Sequence, residues 1–98
     1  MLDGTYVVEV NTPLGRKTGK IALETENERV FVSVDAPVLG KKRLEGRAQG
    51  DSFVVEGEWK LLLIGKVEYK VEGTLYGEDL ALSIKTSKGS TQAVGIRI

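Results

Sequence analysis

Residues 65–80 read GKVEYKVEGTLYGEDL. From Lys66 to Glu72 the chain alternates strictly, with Lys66, Glu68, Lys70 and Glu72 on one parity and Val67, Tyr69 and Val71 on the other. Successive side chains of a strand point to opposite faces, so this segment is a strand with one wet face and one apolar face. The Tyr76-Gly77-Glu78-Asp79 stretch that follows has turn chemistry, and Leu80, Leu82 and Ile84 resume the alternation. Strand, tight turn and strand make a β-hairpin.

The same unit recurs along the chain. Gly15, Gly40, Gly65 and Gly89 are spaced 25, 25 and 24 residues apart, each after a short turn-like or apolar stretch (TPLG, APVLG, LLLIG, TSKG). Between them lie further turn signals at residues 25–28 (TENE), 49–51 (QGD) and 76–79 (YGED). Each repeat is therefore two strands and two turns. The alternation predicts eight strands near 4–11, 16–24, 29–35, 41–48, 52–60, 66–75, 79–86 and 90–97, and no window has helical periodicity. The apolar parity runs from Tyr6, Val8 and Val10 through Val30, Val32, Val34, Phe53, Val55 and Trp59 to Leu82, Ile84, Ala93 and Gly95. A sheet with one apolar face and only short connections must cover that face itself. Closing into an antiparallel up-and-down (meander) β-barrel does so and leaves no free edge. The predicted fold is thus all-β: one closed barrel spanning residues 1–98 as a single domain, without significant helix.

Composition narrows the chemistry. The 98 residues hold neither cysteine nor histidine, which removes disulfides, thiolate nucleophiles, Ser-His-Asp triads and the commonest transition-metal ligands. The remaining carboxylates, lysines and tyrosines form no recognisable catalytic arrangement, so no enzymatic activity, cofactor or metal is expected. The start, MLDGTYVVEV, lacks the basic and then apolar pattern of a signal peptide. No apolar run approaches the ~20 residues of a membrane helix. A membrane barrel would turn its polar face to the lumen, and the interior of eight strands is too narrow for these charges. These features point to a cytoplasmic protein. The many Lys and Glu residues beside few amides lean towards a heat-adapted one.

Gly4-Thr5-Tyr6 resembles the G-x-W opening of the calycin barrels (lipocalins, fatty-acid-binding proteins and avidins), with tyrosine in the tryptophan's place. Arg97 is similar to the arginine that calycins pack over that aromatic. The whole chain also resembles a group of short bacterial and archaeal proteins without established activity. They share a G-T-[WY] start, repeated T-P-x-G turns, G-D turns and a C-terminal G-x-R. The APVLG and LLLIG turns depart from that pattern. The resemblance implies a calycin-like barrel in which Arg97 stacks on Tyr6 and closes one end, a reading favoured over a ligand-binding arginine.

Two features bear on binding. The inward glycines at 19, 46, 57, 73 and 95 mark either sharp coiling and close approach or an interior cavity, and four inward aromatics (Tyr6, Phe53, Trp59, Tyr69) favour filling. The two barrel ends also differ. The end with the repeated glycines carries Arg16, Lys17, Lys41, Lys42, Lys60, Lys66 and Lys88 beside the apolar loop residues Leu14, Leu39 and Leu62. The opposite end carries Glu24, Glu26, Glu28, Asp51, Glu78 and Asp79. The apolar loops either fold over the barrel as caps kept soluble by lysines or form a mouth or docking surface.

The first expectation is a non-catalytic barrel that takes an apolar, anionic small molecule, an amphiphile, at the basic and apolar loop end. Trp59 and Tyr69 would meet its body. Lys17 and Lys42, which share the inward parity two residues after a repeat glycine, would either converge on its charge or simply reach outward to water. The alternative is an interaction domain whose Leu14, Leu39 and Leu62 loops bury in a homo-oligomer or against an enzyme partner. Nucleic acid is disfavoured: the net charge is zero, and the outer faces read as lacking aromatics among their charges.

Overall fold

The computed structural model describes residues 2–12, 15–36, 40–61, 65–87 and 89–98, apart from the side chains of Thr12, Trp59 and Leu61. Eight strands follow in order: β1 (Gly4–Thr12), β2 (Gly15–Glu26), β3 (Arg29–Ala36), β4 (Gly40–Gln49), β5 (Ser52–Leu61), β6 (Gly65–Tyr76), β7 (Asp79–Thr86) and β8 (Gly89–Arg97). Each pairs antiparallel with the next, and β8 pairs with β1 through Tyr6↔Arg97 to Val10↔Ala93, which closes the barrel. Several strands run a residue or two beyond the predicted ends. The reason is that ladder pairs persist into the turns, as in Thr12↔Gly15 and Gln49↔Ser52.

The turns explain the glycine spacing. At one end three two-residue connections begin with a residue at positive φ: Asn27 at 60°, Gly50 at 60° and Gly77 at 65°. That is the conformation that matches the right-handed twist of paired strands. At the other end Gly15, Gly40, Gly65 and Gly89 open their strands at φ 112°, 69°, 87° and 140°. A Cβ on any of these four would meet open space, so backbone conformation and not crowding calls for glycine there. The 25-residue period is the return of one backbone requirement at the start of every second strand.

The apolar parity faces inward. Tyr6, Leu23, Val30, Val55 and Leu80 are essentially fully buried, and Leu2, ahead of β1, lies over the same core. Each such side chain contributes roughly 1.5–3 kcal/mol on burial. Three inward glycines seat neighbouring groups: the Phe53 ring lies on Gly73, the Tyr69 hydroxyl on Gly57, and the Val54 carbonyl oxygen against Gly46. At these sites the glycines serve close approach, which small barrels need in order to coil.

The charged parity faces outward. Lys66–Glu58 (3.2 Å), Lys70–Glu56 (3.9 Å) and Arg29–Glu45 (2.5 Å) pair across neighbouring strands. All six side chains are exposed, and such pairs contribute at most about 1 kcal/mol each. The outer face is not free of aromatics, which corrects the reading from sequence. Phe31 shares the outward parity of β3, and the Arg43 guanidinium lies 5.0 Å from its ring centroid. Strand β8 also departs from the charged pattern, with Val94, Ile96 and the following Ile98 all more than half exposed.

Candidate functional site

The barrel's two ends are built differently, and the difference locates the site. At the end where β1 begins, Tyr6 is fully buried and donates its hydroxyl proton to the Leu2 carbonyl oxygen at 2.7 Å. The Arg97 Nη2 donates to the same Tyr6 oxygen at 2.7 Å, and the guanidinium carbon stands 5.3 Å from the ring centroid. That hydrogen bond holds the Arg97 pKa above its ordinary value, so the group stays charged. Beside it the Asp3 carboxylate accepts the Thr25 backbone N–H at 3.0 Å and the Thr25 hydroxyl at 2.5 Å. The two Thr25 bonds hold the Asp3 carboxyl below its ordinary 3.8. Leu2, Tyr6 and Arg97 together stopper this end.

Towards the repeat-glycine end the inward side chains lose their cover. Val8 is buried, but Val10 one pleat further along β1 is only half-buried, as are Ile21, Val34, Val71 and Ile84 on β2, β3, β6 and β7. These five surround a cavity of about 280 Å³, whose deeper wall is Val32, Leu44, Phe53, Val55 and Leu82. Among the described residues the interior is thus packed in the half that holds Tyr6 and Phe53 and leaves a cavity in the other; the side chain of Trp59, one of the four aromatics expected to fill it, lies outside them. The cavity lies near the lower end of the volumes that hold small ligands. Among the described residues its walls are aliphatic save for Phe53, and its polar margin is Lys17, Thr18 and Lys20 of β2.

The residues singled out from sequence fall into three groups. Lys17, opposite Val10, is exposed and lines the cavity. Lys42, opposite Val34, does not line it. It borders instead a trough of about 420 Å³ that also involves Lys20, Lys41, Arg43 and Asp35. Tyr69 faces inward and is half-buried, but it stands beside the cavity rather than in its lining: its oxygen would lie 2.6 Å from a Cβ at Gly57. Burial pushes the Tyr69 hydroxyl above its ordinary pKa of 10.0. Trp59 sits on β5 opposite Val67, with its side chain outside the described residues. Leu14, Leu39 and Leu62 also lie outside them.

Two features went unread in the sequence. One is the outward apolar strip of β8. Its signal was available, because in Ala93-Val94-Gly95-Ile96 both parities are apolar. The other is an interruption of the β4–β5 ladder beyond Gly46↔Val55, for which sequence carries no signal. Among the described residues no three His, Cys, Asp or Glu side chains gather as a metal site. No helix among them is long and apolar enough to cross a membrane, a statement that leaves strands aside.

This architecture has solved counterparts. The chain is similar to two redesigned β-barrels. One is mFAP1 bound to DFHBI, with a TM-score of 0.69 and 12% identity over 99% of this chain and 94% of that one. The other is b11L5F_LGL, with a TM-score of 0.63 and 14% identity over 99% of this chain and 90% of that one. No family model matches the sequence, and no curated protein does. At these identities the likeness is one of fold.

Proposed function

We propose that the protein is a non-catalytic binding barrel that holds a small, apolar, anionic molecule in the cavity at its repeat-glycine end. The observation that carries this reading is the lining of that cavity: aliphatic walls with lysine at the margin. Such walls favour an apolar body through burial, and an ammonium at the rim favours a carboxylate, sulfonate or phosphate held close to water. Lys17 is the first candidate for that contact, with Lys42 nearby on β4. Trp59 and Tyr69 stand on the two strands beside the cavity. The similar barrel mFAP1 is bound to DFHBI, which supports reading a barrel of this shape as a small-molecule host. The calycin-like opening and closing residues, Gly4-Thr5-Tyr6 and Arg97, point the same way.

The test uses the single tryptophan. Titration with dodecanoate, an aromatic carboxylate and a nucleotide should give saturable change in Trp59 emission with at least one of them. Binding should weaken with salt and fall about tenfold or more in Lys17→Ala. No saturable response to any of the three rejects the reading.

A second reading, a protein-interaction or oligomerisation domain, draws support from the strip Val94, Ile96 and Ile98. Contiguous exposed apolar surface marks contact sites. Self-association of the chain, lost in Ile96→Asp with the barrel intact, would favour it.

A further inference from the structure

Every hairpin of the barrel but one carries its ladder along most of its length. β3 and β4 pair from Arg29↔Arg47 to Ala36↔Gly40, and β5 and β6 pair from Ser52↔Thr74 to Leu61↔Gly65. Between β4 and β5 the ladder covers Gln49↔Ser52, Ala48↔Phe53, Arg47↔Val54 and Gly46↔Val55 and then stops. The strands press closest at Gly46, where a Cβ would fall on the Val54 carbonyl oxygen. Beyond that point β4 stays with β3 and β5 stays with β6, and Gly40–Glu45 and Glu56–Leu61 do not pair with each other. The wall is therefore split over six residues on each side, roughly 20 Å of strand.

The split stands directly over the cavity. Leu44 on the β4 side and Val55 at its foot both line that cavity. Its margins are unequal in charge. On β5, Glu58 and Glu56 are each engaged by a β6 lysine, Lys66 at 3.2 Å and Lys70 at 3.9 Å. On β4, Lys41, Lys42 and Arg43 are all exposed. Lys60 is exposed on the β5 margin as well, and Asp35 of β3 stands opposite Lys41. Both margins are therefore net cationic, β4 more so than β5, a field that draws anions to the opening.

We propose that this split is the passage through which the ligand reaches the cavity, and that its shape selects a single-chain anionic amphiphile. Such a molecule slides in edgewise, its chain passing Leu44 and Val55 and its anionic head trailing along Lys41 and Arg43. The inference rests on the cavity being a binding site and adds the route and the form of the ligand. A long slot in a wall admits a thin chain where it excludes a broad ring system.

Extending the register beyond Gly46↔Val55 would place Arg43 opposite Glu58. Both are exposed, and the chain has no cysteine, so Arg43→Cys/Glu58→Cys can be linked across the unpaired strands by a bis-maleimide with a reducible spacer, without competing thiols. The probe is cis-parinarate, a fluorescent single-chain carboxylate, for equilibrium occupancy, with dodecanoate displacing it in stopped flow. Linking the split should slow both uptake and release of dodecanoate at least tenfold and leave its Kd within about twofold, because a gate changes both rates alike. Reductive cleavage of the spacer should restore them. Saturable dodecanoate binding with rates indifferent to the link overturns the passage and leaves the cavity reading standing. Absence of saturable dodecanoate binding by the unlinked protein overturns the passage, and the cavity reading falls with it where the aromatic carboxylate and the nucleotide fail as well. Lys41→Glu/Arg43→Glu gives a test that needs no cross-link: it should lower the dodecanoate association rate at least fivefold at low salt and not at high salt. An unchanged rate at low salt counts against the passage.

Discussion

At the scale of single residues, the stoppered end depends on two contacts that do different work. Arg97 couples the last strand to the first through the Tyr6 oxygen, and its guanidinium also covers the ring. Arg97→Ala should lower the melting temperature clearly more than Lys85→Ala on the exposed face of β7, and Arg97→Lys should recover only part of the loss, because an ammonium cannot cover a ring as a planar guanidinium does. Equal effects of Arg97→Ala and Lys85→Ala would remove its structural role. Asp3 makes a pH-dependent contribution. Its folded pKa lies below 3.8 because its ionised form accepts two Thr25 bonds. That stabilisation is present in full above the unfolded value and is lost as pH falls through the folded one. Asp3→Asn should therefore cost about 1 kcal/mol or less at neutral pH. The difference from the parent should shrink in urea titrations below pH 4.

At the scale of the element, the inward glycines are not equivalent. A methyl on Gly46 meets backbone, the Val54 carbonyl oxygen and the Val55 Cα. Backbone there cannot move without undoing the foot of the β4–β5 ladder. A methyl on Gly57 meets the end of the Tyr69 side chain at 2.6 Å, which can rotate away. Gly46→Ala should cost about 2–4 kcal/mol in denaturant unfolding, and Gly57→Ala about 1 kcal/mol. The reverse order would mean that β4 and β5 yield more readily than Tyr69 does.

At the scale of the whole molecule, a barrel filled at one end and hollow at the other should tolerate added volume only in the hollow half. Val34→Phe at the cavity wall should leave the melting temperature within a few degrees, since the added atoms occupy existing space. It should weaken dodecanoate binding at least tenfold. Val30→Phe on the same strand, where the native side chain is fully buried, should destabilise the barrel by about 1–3 kcal/mol. Thermal unfolding of the pair with ligand titration of Val34→Phe separates a binding cavity from an incidental void.

How much of this was legible follows from which interactions are local. Alternation in Lys66–Glu72 decides which faces are wet, because a strand's side chains alternate whatever surrounds them. The spacing of Gly15, Gly40, Gly65 and Gly89 sets the hairpin unit, because each glycine meets a backbone requirement of its own turn. Strand count, order, closure and the inward set could therefore be read before any coordinates. The cavity could not, since it depends on how far apart opposite walls stand once Phe53 has settled on Gly73 and Tyr69 on Gly57. Parity placed Lys17 and Lys42 alike, yet only Lys17 reaches the cavity lining. The split between β4 and β5 lay furthest from view. Gly40–Glu45 and Glu56–Leu61 alternate as well as any paired strands do, and only the competition between neighbours across the closed sheet left them apart.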